Sequence, residues 1–214
     1  VGDGDGGSDS VAWVLTVNML DDDGDGMSDI WEADMGLDPT DPSDASGDPD
    51  ADGRSNLVEF EGGSDPGVYD GPGSPTLLSP DNASEVDVAS PTLVVGAASA
   101  PLLQELSYGF TIYEDAALSV LVSDTTGVAA STTGAEWTVE LGLDENTWYW
   151  WDATAADDYV TGAVASPARS FFVNTVNDPP EVPELVSPFE GATASTLTPT
   201  FEASVPADPD LDAV

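Results

Sequence analysis

The sequence predicts a mainly β chain, a two-layer β-sandwich joined to a small acidic loop module with short helices. Three observations predict it. Seven short apolar runs separated by turn residues fall within about 100 residues of the second half, the spacing of a sandwich. A twelve-residue acidic loop occurs twice, at an offset of 27 residues. Finally, 17 prolines and 21 glycines, with abundant Thr, Ser and Val, favour strands and turns over long helices.

Charge narrows the function classes. Of 214 residues, 42 are acidic and two basic, Arg54 and Arg169, and Lys, His and Cys are absent. A net charge of −40 excludes nucleic-acid backbones and anionic lipid surfaces as expected partners. It suits multivalent cations or a high-salt medium. Between Asp21 and Asp65 lie 16 of the 42 acids. Without cysteine there is no disulfide, so a metal is the staple available to a small module. No apolar run approaches the ~20 residues of a membrane span, so no membrane insertion is expected within this segment. No secretory signal opens the chain, so it is expected to be a mature or partial segment. The absence of His, Cys and Lys removes the usual nucleophile–base pairings. Asp144-Glu145 and Asp157-Asp158 are paired carboxylates in predicted turns, where such groups are solvated. No enzyme is expected.

In chain order, residues 1–20 hold a predicted strand with Val11, Trp13, Leu15 and Val17 on one face. A D-G-x-G-G-S-D turn precedes it. This resembles the end of PKD- and cadherin-like domains of bacterial surface proteins, and implies the final strands of a preceding Ig-like domain.

Residues 21–66 carry the two loops. Asp21 to Glu32 reads D-D-D-G-D-G-M-S-D-I-W-E, with acidic oxygens at positions 1, 3, 5, 9 and 12 and glycine at 6, the spacing of an EF-hand calcium loop. Calcium takes six to eight hard oxygens at about 2.3–2.6 Å. Asp21, Asp23 and Asp25 are the candidate carboxylates, with Asp29 binding directly or through water, Met27 the candidate carbonyl, and Glu32 the bidentate closure. The second loop, D-P-D-A-D-G-R-S-N-L-V-E, offers Asp48, Asp50, Asp52, the carbonyl of Arg54, Asn56 and Glu59. It has four charged ligands where the first has five, and is expected to bind more weakly. Both loops share a trailing G-x-D-P. A strand rather than a helix is predicted to enter the first loop. Exit helices are predicted over 30–35, capped by Gly36, and over 56–61, ending at Gly62-Gly63. Trp31, Met35, Leu37, Leu57, Val58 and Phe60 supply a core too small to stand without metal.

The run from Asp21 to Pro66 resembles the bacterial thrombospondin type-3-like calcium repeats, related to dockerin-type loops. The resemblance implies two or more Ca2+ ions, with Asp38, Asp41 and Asp44 as further ligands.

Residues 67–75 read as a Gly/Pro linker. Residues 76–177 read as a complete immunoglobulin-like sandwich with strands over 76–78, 92–97, 106–113, 118–123, 136–141, 148–154 and 169–176. T-W-Y-W-W-D-A-T-A-A-D-D followed by S-P-A-R-S-F-F-V resembles the last two strands of fibronectin type III domains of bacterial surface proteins. Trp148, Trp150 and Asp152 would face one side, and Tyr149, Trp151 and Ala153 the other. Two readings of these aromatics stand: packing, and a platform for stacking sugars. Residues 178–214 begin a second copy. P-E-L-V-S-P at 183–188, T-P-T-F at 198–201 and Pro209 match P-T-L-L-S-P at 75–80, S-P-T-L at 90–93 and Pro101, each at an offset of 108.

The resulting expectation is a calcium-stabilised spacer of a large extracellular bacterial surface protein, fibre or adhesin. Its partners would be neighbouring Ig-like domains of the same long chain, or identical subunits joined by strand complementation. A glycan- or protein-recognition module, or an accessory region of a secreted hydrolase, is the alternative.

Overall fold

Alternation of apolar and polar residues forces the second half into half-buried strands, and the structure, a computed structural model, shows how they pair. It describes residues 20–102, 104–165 and 167–210. The predicted strand over Val11–Val17 lies outside these. The chain divides into two units, 1–69 and 70–214.

The second unit is the sandwich. Its strands are β1 (Thr76–Ser79), β2 (Ser84–Val86), β3 (Thr92–Gly96), β4 (Ser107–Tyr113), β5 (Leu121–Ala129), β6 (Gly134–Thr138), β7 (Thr147–Ala156) and β8 (Arg169–Val173). One sheet has the order β1-β3-β6, the other β2-β8-β7-β4-β5. All pairs are antiparallel except β2 with β8. In S-Y-G-F-T-I-Y of β4 every second residue is buried, so Tyr108, Phe110 and Ile112 face inward. β7 pairs with it in continuous register and adds Tyr149, Trp151, Ala153 and Ala155. Leu77, Leu93, Val95 and Ala135 close the core from the facing sheet. Phe110 stacks on Trp151 at 6.5 Å, and Tyr149 meets Phe171 at 5.9 Å. Burying each such side chain contributes about 1.5–3 kcal/mol.

Trp148 packs its ring on Phe172 at 5.3 Å, on the opposite side of β7 from Trp151. Trp148 and Trp150 are partly buried and Trp151 fully so. The aromatics therefore act as packing.

Three strands depart most from expectation. The predicted strand 118–123 is displaced to Leu121–Ala129 because Asp115 captures the turn. Its carboxylate accepts from the Ser119 and Val120 N–H groups and the Ser119 hydroxyl, and Leu118 takes a positive φ of 56°. β6 starts two residues early, at Gly134, whose φ of +133° closes a tight turn from Ser131. β8 stops at Val173: the Asn174 N–H still reaches the Val86 carbonyl, but those of Thr175 and Val176 donate to Glu145. The three-residue β2 has no alternation to read. Within residues 67–75, Gly71 and Pro72 are buried and Gly73 donates to the Ser99 carbonyl at 3.0 Å.

Past the sandwich, β9 (Leu185–Ser187) pairs antiparallel with β10 (Glu202–Ala203). Their partners are Leu185↔Ala203 and Ser187↔Glu202. These are Leu77↔Val95 and Ser79↔Val94 of β1 and β3 shifted by 108, including the bulge. The second copy read from the sequence thus begins with the same pairing. Among the described residues no helix is long and apolar enough to cross a membrane.

Truncation of the inward aromatic is the direct check on this core. Phe110→Ala is expected to cost the sandwich about 3–5 kcal/mol in denaturant melts. A loss below about 1 kcal/mol would place the core elsewhere.

Candidate metal centre

In the first unit, D-x-D-x-D-G sequences are built to turn carboxylates inward. Each aspartate accepts a backbone N–H two to five residues ahead, which fixes its carboxylate in the loop. Asp21 accepts from Gly24 and Gly26, Asp23 Oδ1 from Asp25, and Asp25 Oδ1 from Met27. The second loop repeats this: Asp48 Oδ2 accepts from Gly53, Asp50 Oδ1 from Asp52, and Asp52 Oδ1 from Arg54. The Oδ2 atoms of Asp23, Asp25 and Asp50 are buried with no hydrogen-bond partner. Gly26 and Gly53 hold positive φ values of 105° and 88°, which the bend requires.

Each loop runs into a seven-residue helix, α1 (Asp29–Met35) and α2 (Asn56–Gly62). Ser28 and Ser55 cap their N-termini, accepting from Trp31 and Val58, and Gly36 and Gly63 end them in the left-handed conformation. Position 12 of each loop thereby falls on an inward helical face. Glu32 and Glu59 are both 0% exposed. Trp31 and Phe60 meet edge to face at 5.2 Å and pack the helices, with Met27 buried in the same unit.

Ligand oxygens of Asp21, Asp23 and Asp25 lie within 4.8 Å of one another, as do those of Asp25, Glu32 and Asp44, and those of Asp48, Asp50 and Asp52. Opposite oxygens around one calcium ion are separated by about 4.8 Å, twice the metal–oxygen distance. These clusters therefore fit the ion. Neither oxygen of Glu32 has a hydrogen-bond partner. Such a carboxylate, buried among carboxylates, demands a proton or a cation.

The sequence-predicted residues are not all gathered. Asp29 lies outside the three carboxylate clusters: its Oδ1 accepts from the Asp22 N–H at 2.8 Å, while its charge still acts on Glu32. Asn56 braces the chain: its Nδ2 donates to the Asp44 carbonyl at 2.8 Å. Its Oδ1 is buried with no hydrogen-bond partner. Arg54 adds a feature that spacing did not show. Its guanidinium lies 2.6 Å from Asp52 Oδ2, with both side chains buried. The second loop thus carries its own counter-ion. Of the three aspartates implied by resemblance, only Asp44 reaches a cluster, delivered by a single 3-10 turn over Asp44–Ser46. Asp38 binds Thr40, and Asp41 binds Ser43, on the exposed side. Asp44 lies twelve residues beyond Glu32, outside the twelve-residue template, so loop spacing alone could not place it beside Glu32.

Burial first, then the charges of Asp25, Asp23 and Asp44, push the Glu32 carboxyl from 4.5 up to about 7. Burial likewise raises Asp23 and Asp50. Asp41 is held low by the Ser43 hydroxyl and N–H.

No family model matches the chain, and no curated protein matches it. Several solved structures are similar in part. The α-L-rhamnosidase of Streptomyces avermitilis, complexed with L-rhamnose, is 21% identical with a TM-score of 0.37, over 48% of this chain and 10% of that one. The α-L-rhamnosidase from Dictyoglumus thermophilum is 16% identical with a TM-score of 0.38, over 57% and 15%. The chicken CNTN1 FN1–FN3 domains are 12% identical with a TM-score of 0.37, over 52% and 38%. The chain thus spans between 10% and 38% of the length of these structures.

The raised Glu32 carboxyl sets a pH dependence for chelator-treated protein. A carboxyl raised on folding favours the fold while protonated. Its contribution is complete below about 4.5 and is lost as pH rises through about 7. Amide exchange of Asp29–Met35, corrected for intrinsic rates, is expected to lose protection across that window. Protection that stays flat or rises would contradict the burial of an unpaired Glu32.

Proposed function

We propose that residues 21–66 are a calcium-binding module within a non-enzymatic spacer segment of a large extracellular surface protein, fibre or adhesin. The observation that carries this reading is Glu32. Both of its oxygens are buried without a hydrogen-bond donor, beside Asp25 and Asp44 oxygens within 4.8 Å. A divalent cation satisfies all three groups, and does so without the proton that the Glu32 carboxyl gives up as pH rises through about 7. Binding energy is then folding energy: at a free ion concentration 100 times Kd the fold gains about 2.7 kcal/mol. The first loop would hold its ion with Asp21, Asp23, Asp25, Glu32 and Asp44. The second would use Asp48, Asp50, Asp52 and Glu59, more weakly, because Arg54 already neutralises part of its charge.

The spacer role is supported by the repeated β1/β3 pairing, which is how tandem sandwiches in one chain read. Its partners would be neighbouring sandwich domains of the same long chain, or identical subunits completing the sheet of β9 and β10. The recognition reading loses its platform, since Trp151 is 0% exposed and Trp148 leans on Phe172.

Calorimetric titration of chelator-treated protein with calcium, with magnesium as competitor and light scattering alongside, tests both parts. Two unequal saturable sites in the first unit are expected. Glu32→Gln should weaken the tighter one at least tenfold, and Glu59→Gln the looser one. A rise in mass on calcium addition would favour subunit complementation over a passive spacer. Absence of saturable binding would refute the module.

A further inference from the structure

We infer that Glu145, Asp178 and Asp210 form a third calcium site, at the seam between the sandwich and the strand pair that follows it. It stands on its own residues and does not require the two loops. The three carboxylates come from segments distant in sequence, yet their oxygens lie within 4.8 Å of one another. Asp210 is 2% exposed, and its Oδ1 has no hydrogen-bond partner. Its other oxygen accepts from the Asp178 N–H, which aims the group into the cluster. Asn146 Nδ2 donates to Asp178 Oδ2 at 2.9 Å, while Asn146 Oδ1 is a second buried acceptor without a partner.

The surroundings are built to hold these groups still. Glu145 accepts from the Thr175 and Val176 N–H groups and the Thr175 hydroxyl, which fixes it at the end of β8. Asp210 is set by a turn in which Asp208 Oδ1 accepts its N–H at 3.0 Å. Beyond the seam, Glu181 donates to the Ala207 carbonyl and Ser204 to that of Glu184, so the 178–184 and 202–210 segments lie side by side. The two arginines, the only basic side chains of the sequence, are engaged elsewhere, Arg54 with Asp52 and Arg169 with Asp81. Three carboxylates, all hard oxygen donors, suit a hard divalent cation, and calcium tolerates such an irregular set best. Bound there, it would tie the last strands of one sandwich to the first strands of the next.

The test uses the full chain carrying Glu32→Gln and Glu59→Gln, titrated with calcium chloride by calorimetry, with magnesium chloride in a parallel series. Beside the weakened loops, one saturable site is expected to keep its wild-type affinity, with calcium-induced amide shifts at Asn146, Asp178 and Asp210. Adding Asp210→Asn should weaken that site at least tenfold. The asparagine keeps an oxygen to accept from the Asp178 N–H, so the melting of the sandwich should be unchanged. Glu145→Gln, on the opposite side of the seam, should act likewise. Absence of that site, or its survival through both substitutions, overturns the proposal. So does a site that prefers magnesium. Failure of the loops is distinguishable: wild-type protein and the double loop variant would then bind calcium identically.

Discussion

Burial of acid without base is the constraint on which the first unit rests. The loop backbone supplies N–H donors to Oδ1 of Asp23, Asp25 and Asp50 and leaves Oδ2 of each buried without a donor. Glu32 is the extreme case, with neither oxygen served. Uncompensated burial of an ionised carboxylate costs several kcal/mol. A core made of Met27, Trp31 and Phe60 is small against several such penalties. The hydrogen bonds that shape each loop thus gather negative charge in a small space, which a proton or a cation must offset.

The second unit obeys different physics. Its stability comes from interdigitated aromatics between two sheets, and needs no counter-charge at its centre. Even its buried tyrosine hydroxyls are locally answered: Tyr108 Oη accepts from Ala98 N–H, and Tyr149 Oη from Asp144 N–H. Apolar truncation therefore acts on the centre of the second unit, as loss of charge compensation acts on that of the first.

Much of this architecture is legible in the amino-acid order alone. Period-two alternation determines β4 and β7, because a half-buried strand has one solution for which residues face inward. The glycines at loop position 6 and after each helix are readable because positive φ leaves few choices. What escapes reading is non-local. Asp44 joins Glu32 through a 3-10 turn that no loop template includes. Asp29 satisfies a nearby N–H instead of joining a cluster, a competition decided by backbone geometry. Arg54 folds back on Asp52, and spacing shows only that its carbonyl is available. The Asp115 turn shifts β5 by capturing three donors at once. The 108-residue repeat, by contrast, is legible down to register, because matched sequence carries matched pairing.

Both arginines are turned to internal duty. Arg54 is 2% exposed against Asp52, and Arg169 donates to the carbonyls of Leu78 and Pro80 at the mouth of β1. With no lysine or histidine in the chain, its exterior carries essentially one sign of charge. Two copies approaching in dilute buffer meet a repulsive field that extends tens of ångströms, and that shrinks to about 10 Å at 0.1 M salt. Ionic strength thus sets the distance at which one copy feels the charge of another, and added salt or divalent ions shorten it.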